Sequence, residues 1–325
     1  MFTQILVPLD GSKAAEMVLP YARFLASKLG VPVKLLAVID VVEIGLHLAP
    51  DKAHLLNSVI ETTLQRGEQY LKSVAGTFSD VRVNCSVERG LAAETIIGKA
   101  AEDTGTLISM AAHGRSGKNQ WLLGSVAEKV LRGASNPVLL YRPLGGEKPD
   151  GHAFIRSIIV PLDGSELAET VLRPIAELAK QLDSAVLLFR TYHVPYTALV
   201  PVDGYYPPID IELIDTFRDE AISYLEKKLE ALKQMGVAKV SYVAKEGSAA
   251  DEIITLAQKT PDNLIAMCTH GRSGVKRWIL GSVTEKVVRH SSDVFVVRAQ
   301  SESEAAEQSL PLEAARGNPA RTGAV

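Results

Sequence analysis

Two stretches carry residue types suited to anion chemistry. HGRSGKNQWLLGS runs from His113 to Ser125, and HGRSGVKRWILGS from His270 to Ser282, 157 residues further on. Glycine lets a backbone approach a ligand closely and adopt positive φ. Successive amide N–H groups in such a loop form a concave anion site. A helix opening at Ser125 or Ser282 adds unpaired N–H groups and the positive end of its dipole. The chemistry suggested is phosphate binding. The usual fingerprints are absent, since neither GxxxxGK[ST] nor GxGxxG occurs. A plainer explanation stands beside this one. Ser125-Val126-Ala127-Glu128 and Ser282-Val283-Thr284-Glu285 each match a capping box, in which the serine hydroxyl bonds the N3 amide and the glutamate bonds back. Arg115 and Arg272 either neutralise phosphate or are solvated. His113 and His270 are either site residues or structural hydrogen-bonders. Trp121 and Trp278 are either lids or packing anchors.

A second pair of candidates lies near the start of each half. ILVPLDGS (Ile5 to Ser12) recurs as IIVPLDGS (Ile158 to Ser165), offset by 153. Asp10 and Asp163 either make turns into a helix or accept bonds from a ribose or base. RGLAAETII (Arg89 to Ile97) recurs as EGSAADEII (Glu246 to Ile254), now offset by 157. The second copy has therefore gained four residues, and composition assigns them to the loop His193 to Pro208. A repeat this long is a duplicated domain rather than a solenoid unit. The expected division is domain 1 over 1–145, a Gly/Pro-rich linker over 146–154, domain 2 over 155–299, and a disordered tail over 300–325 with few large apolar groups.

Elements must position these residues, and each copy reads alike. A short apolar strand (Ile5 to Val7; Ile158 to Val160) leads to a helix capped by Ser12 or Ser165. Pro20 and Pro174 predict a kink or break in that helix. Apolar strands follow at Val31 to Ile39 and Ala185 to Tyr192, of the kind buried on both faces. Long amphipathic helices come next, Asn57 to Val74 and Asp210 to Met235, then strands at Val81 to Glu88 and Ala238 to Ala244. Helices start after Gly90 and Gly247. The fourth strands are Leu107 to His113 and Leu264 to His270, and the last are Pro137 to Arg142 and Val294 to Ala299. Alternating strands and helices predict an α/β fold with two Rossmann-like repeats, each a five-stranded parallel sheet flanked by helices.

The chain has 325 residues, 46% hydrophobic and 22% charged, with a net charge of −3. That argues against a whole-chain pull toward nucleic acid or anionic membrane. No apolar run reaches the ~20 residues of a membrane span. Cys85 and Cys268 have neither disulfide nor zinc spacing, which fits a reducing cytoplasm.

The opening VPLDGS, the HGRSG…LGS block and the closing NPVLLYR strand together resemble the universal stress protein family, twice over residues 1–299. That resemblance implies an adenine nucleotide alpha hydrolase-like fold. Its ATP-binding branch carries G-x2-G-x9-G-[ST]. Gly114 to Gly124 and Gly271 to Gly281 each enclose nine residues and are followed by serine. Where the first glycine belongs stand Ala111 and Cys268. A methyl or thiol there crowds a backbone approaching a ligand, or forbids positive φ. Alanine is the milder change, so lobe 1 is the stronger candidate. The resemblance implies ATP held by Pro8, Asp10, Val38, Ala111, His113, Gly114, Arg115, Gly124, Ser125 and Val126 in lobe 1. In lobe 2 it implies Pro161, Asp163, Thr191, Cys268, His270, Gly271, Arg272, Gly281, Ser282 and Val283. The aspartates face the ribose or adenine, Val38 and Thr191 line the adenine pocket, and the glycines and serines hold ribose and phosphates. Mg²⁺ bridges through the phosphates, and no residue is assigned a catalytic role. The implied protein is a cytoplasmic regulator of a stress response, with an unknown protein partner. Its two lobes form an intramolecular pseudo-dimer through VLLYR and VFVVR, and two chains can pair again as a homodimer. A nucleotide-free interaction module and a slow ATPase are the alternatives.

Overall fold

The computed structural model describes residues 2–47, 54–113, 123–142, 153–193, 211–269, 280–291 and 293–298. In the first repeat, strands β1 (Gln4–Pro8), β2 (Val33–Ile39), β3 (Val83–Arg89), β4 (Thr106–Ala111) and β5 (Val138–Tyr141) are all mutually parallel, in the order 3-2-1-4-5. The second repeats that order with β6 (Ser157–Pro161), β7 (Ala185–Tyr192), β8 (Val240–Glu246), β9 (Asn263–Cys268) and β10 (Asp293–Val297). The central strands are buried on both faces, which is why they read as continuous apolar runs.

The last strands pair edge to edge, as expected. β5 and β10 run antiparallel, with Val138 opposite Val296 and Tyr141 opposite Asp293. Two five-stranded parallel sheets thereby become one ten-stranded sheet. Apolar cores on both faces continue across that seam. On one face Phe295 is fully buried, edge-on to Phe2 at 6.3 Å. Arg142, just past β5, is buried and donates to the Val288 carbonyl of the other repeat at 3.1 Å. Among the described residues no helix is long and apolar enough to cross a membrane.

The helices of the first repeat are α1 (Lys13–Glu16), α2 (Leu19–Leu29), α3 (Val41–His47), α4 (Leu56–Ala75), α5 (Ala92–Ala101) and α6 (Ser125–Gly133). Those of the second are α7 (Glu166–Glu169), α8 (Leu172–Leu182), α9 (Ile211–Gln234), α10 (Ala249–Lys259) and α11 (Ser282–His290). Ser12 and Ser165 cap as expected, accepting from Ala15 N at 3.1 Å and Ala168 N at 3.2 Å. The proline-bearing helix does break: α1 stops at Glu16, and α2 restarts with Pro20 in its first turn, where a missing N–H costs nothing. The strand β8 starts two residues later than the sequence suggested.

The four extra residues of the second repeat are mostly not in the loop after β7. Tyr70 donates to Glu16 and Tyr224 to Glu169, so these pairs correspond, and Tyr224 lies 154 beyond Tyr70. By β3 and β8 the offset has reached 157, Val83 matching Val240. Most of the gain therefore follows Tyr224. The helix absorbs it: α4 has 20 residues and α9 has 24.

Candidate functional site

In a 3-2-1-4-5 sheet the chain reverses its winding direction between the first and fourth strands, and ligands bind outside the carboxyl ends there. Each repeat has a cavity at that point. In lobe 1 it measures about 320 Å³ and is lined by Pro8, Asp10, Val38, Ala111, His113, Gly124, Ser125 and Val126, among others. In lobe 2 it measures about 760 Å³, with Pro161, Asp163, Thr191, Cys268, Gly281, Ser282 and Val283 in its lining. All the sequence candidates within the described residues are thus brought together, lobe by lobe. Gly114, Arg115, Trp121, His270, Gly271, Arg272 and Trp278 lie outside those residues.

The aspartates end β1 and β6 at a tight turn. Oδ1 of Asp10 accepts from Ser12 N at 2.9 Å, and Oδ1 of Asp163 from Ser165 N at 2.9 Å. Gly11 and Gly164 between them have φ of +81° and +90°, a conformation that L side chains resist. The turn thus fixes each carboxylate at the cavity wall.

The glycine-to-helix junction differs from the capping-box expectation. The N-caps are Gly124 and Gly281, and the serines occupy the first helical position. Neither serine caps its helix. Glu128 and Glu285 do not reach back but pair with Arg132 and Arg289 one turn on, at 2.8 and 2.9 Å. The cap sits one residue earlier because the strand end holds it. Gly124 N donates to Ala112 O at 2.8 Å, and Gly281 N to Thr269 O at 2.9 Å. A β-carbon on Gly124 would stand 3.1 Å from Ala112 O. The exposed serine hydroxyls and the first-turn N–H groups are therefore presented to the cavity.

Ala111 and Cys268 end their strands without positive φ, so neither is strained by carrying a side chain. The Cys268 thiol lies 2.8 Å from Thr170 Oγ1, just past α7, and is buried. Burial pushes it up to about 11, against the opposing pull of the Thr170 hydroxyl. The cavity beside Cys268 is the roomier of the two.

His113 is held below the usual imidazole range, first by burial and then by the Arg142 charge, so it is neutral near pH 7. Two contributors were missed in the sequence. Glu43, from α3, lines the lobe 1 cavity. Its signal was Asp40, whose Oδ1 accepts from Val42 N and Glu43 N at 2.9 and 3.0 Å and so starts that helix. Arg190 on β7 lines the lobe 2 cavity. Among the described residues no three His, Cys, Asp or Glu side chains are grouped as metal ligands.

The model of the universal stress protein family matches residues 1–142 and again 155–298. The universal stress protein Slr1230 of Synechocystis is 24% identical over 310 residues, 89% of this chain and 96% of that one. MJ0531 of Methanocaldococcus jannaschii, also a universal stress protein, is 31% identical over 150 residues, 46% of this chain and 85% of its own. Among solved structures, a universal stress protein from Archaeoglobus fulgidus superposes with a TM-score of 0.60 at 20% identity, covering 92% of this chain and 97% of that one. That last likeness is one of fold.

Proposed function

Because the chain belongs to the universal stress protein family, carrying its domain twice, we propose that it is a regulatory protein of the stress response whose lobes bind adenine nucleotide, ATP foremost. One observation carries this reading: a cavity at each switch point ends on a helix whose first residue, Ser125 or Ser282, does not cap it. Free amides, a dipole and a hydroxyl at a concave site suit phosphate. Asp10 and Asp163 stand on the wall for the ribose, and Val38 and Thr191 beside them for the adenine. Both cavities fall in the size range of small-molecule sites, roughly 300–1,000 Å³. Mg²⁺ would be held through the phosphates. The site binds and presents a ligand, and occupancy biases the conformation that a protein partner reads.

The test begins with nucleotide released from denatured, freshly purified protein and counted per chain, followed by titration with Mg-ATP. Two sites per chain are expected. Ser125→Glu and Ser282→Glu separate the lobes. A carboxylate in a first helical turn favours the helix but repels phosphate, so each variant should stay folded and lose one site. A chain that carries no nucleotide and takes up none overturns the reading in favour of a nucleotide-free interaction module.

A further inference from the structure

The two cavities are not copies. Lobe 2's is enlarged by an annex toward α9, lined by Arg190, Tyr192, Phe217, Glu220 and Ala221. The first of these has no counterpart. Pro8 pairs with Leu36 and Pro161 with Phe189, so Arg190 takes the place of Ala37, one residue before the Val38/Thr191 pair.

The guanidinium of Arg190 is fixed in place. It lies over the Tyr224 ring, 4.5 Å from the centroid. It also lies against the Asp163-Gly164 turn, so close that a β-carbon on Gly164 would stand 3.1 Å from Nη2. Among the described residues no carboxylate pairs with it. Glu169, the nearby acid, is taken by the Tyr224 hydroxyl at 2.9 Å and by Lys228 at 2.6 Å. Glu220, on the annex wall, is exposed. Among the described residues the partly buried guanidinium has the Tyr224 ring against it but no carboxylate on its N–H donors, so its lost hydration is only partly offset. Planar by resonance and held in orientation by the Tyr224 ring, it can grip an oxyanion with two parallel N–H donors.

Its place in the sheet says which oxyanion. β6 lies between β9 and β7. The start of α11 follows β9 on one side, and Arg190 sits on β7 on the other, about 10 Å away at two strand spacings. A nucleotide whose 5′-phosphates lie at Ser282 and whose ribose lies at Asp163 therefore brings its ribose hydroxyls toward Arg190. Resting on the nucleotide reading above, we propose that lobe 2 selects an adenine nucleotide bearing a second phosphoryl group on its ribose, at the 2′ or 3′ position, with Arg190 as the residue that determines the preference. Lobe 1, with Ala37 there, has no such preference.

Calorimetric titration of the full chain, freed of bound nucleotide, with AMP, adenosine 2′,5′-bisphosphate and adenosine 3′,5′-bisphosphate tests this. At one site per chain, one of the bisphosphates should bind at least tenfold more tightly than AMP. In Arg190→Ala that ratio should collapse toward one, and Arg190→Lys should keep part of it. Thermal melting of both variants checks that the stack on Tyr224 is not all that has been lost. Bisphosphates binding no better than AMP, or a ratio that survives Arg190→Ala, overturns the proposal and leaves the nucleotide reading standing. No binding of any of the three, nor of Mg-ATP, removes both.

Discussion

Cys268 and Ala111 stand where the family's motif has its first glycine, and the structure shows what glycine would have been needed for. Neither residue has positive φ, so the backbone does not require it. The Cys268 thiol is turned to Thr170 and away from solvent, in the core shared with α7 and α8. Chemistry follows from that placement. Only the thiolate reacts readily, and burial raises the thiol. Cys85 is exposed on the edge strand β3, whereas Cys268 is buried with its thiol up at about 11. A thiol reagent at pH 8 should therefore titrate one cysteine in the native chain and two after denaturation. Cys268→Ala should retain the nucleotide count and cost about 1 kcal/mol, the size of a lost buried hydrogen bond. Loss of a site in that variant would mean that the thiol shapes the cavity after all. The motif spacing was legible in the sequence. The direction of a single side chain was not, because it depends on Thr170, 98 residues away.

The helices show where sequence logic succeeds and where it slips by one residue. The buried strands were read correctly because burial on both faces leaves an uninterrupted apolar run, and the broken first helix because proline forbids continuation. Helix α6 does open at Ser125, and the capping-box alternative fails there because S-x-x-E fits a serine at either the N-cap or the first position. Only the bond from Gly124 N to Ala112 O decides between them, and that bond joins the helix to a strand end. The extra residues were misplaced for a similar reason. A loop rich in Pro and Tyr draws attention, while a lengthened amphipathic helix leaves its pattern unbroken. The short α3 has no amphipathic period to betray it. A prediction belongs at this scale. Glycine is preferred to alanine at an N-cap, and Gly124→Ala should destabilise the chain by about 1–2 kcal/mol, because its β-carbon meets Ala112 O at 3.1 Å. It should also weaken the lobe 1 site. Denaturant midpoints with Gly98→Ala as comparison check this, since nothing lies within 4 Å of a β-carbon at Gly98 in α5. A Gly124→Ala variant as stable as that control would remove the steric argument.

At the scale of the molecule, the seam between repeats contains a charge that the duplication did not copy. Asp293 opens β10 opposite Tyr141, is buried, and has no partner for Oδ1 among the described residues. Its place in the first repeat is held by Pro137, since Val138 lies opposite Ile108 as Val294 lies opposite Ile265. Desolvation pushes the Asp293 carboxyl up to about 7, although a hydrogen bond with the Tyr21 hydroxyl of the other lobe opposes the shift. Tyr21 in turn stacks on Tyr141 with centroids 4.7 Å apart. The unfolded carboxyl titrates near 4. Between about pH 4 and 7 the folded chain keeps a proton that the unfolded chain has released, so this group's contribution to stability falls as pH rises through that window and levels off above it. The loss is of the order of a few kcal/mol. It is felt where β5 and β10 join the lobes, and mild acid tightens that joint. Asp293→Asn should abolish the slope, leaving a chain more stable than the parent at pH 8 and nearly equal to it at pH 5. Tyr21→Phe removes the bond that favours the charged form, so it should carry the slope to higher pH. Denaturant midpoints from pH 5 to 8 for the three chains decide the matter. Parallel profiles for parent and Asp293→Asn would mean that the carboxylate is hydrated in solution and that the seam does not respond to pH through it.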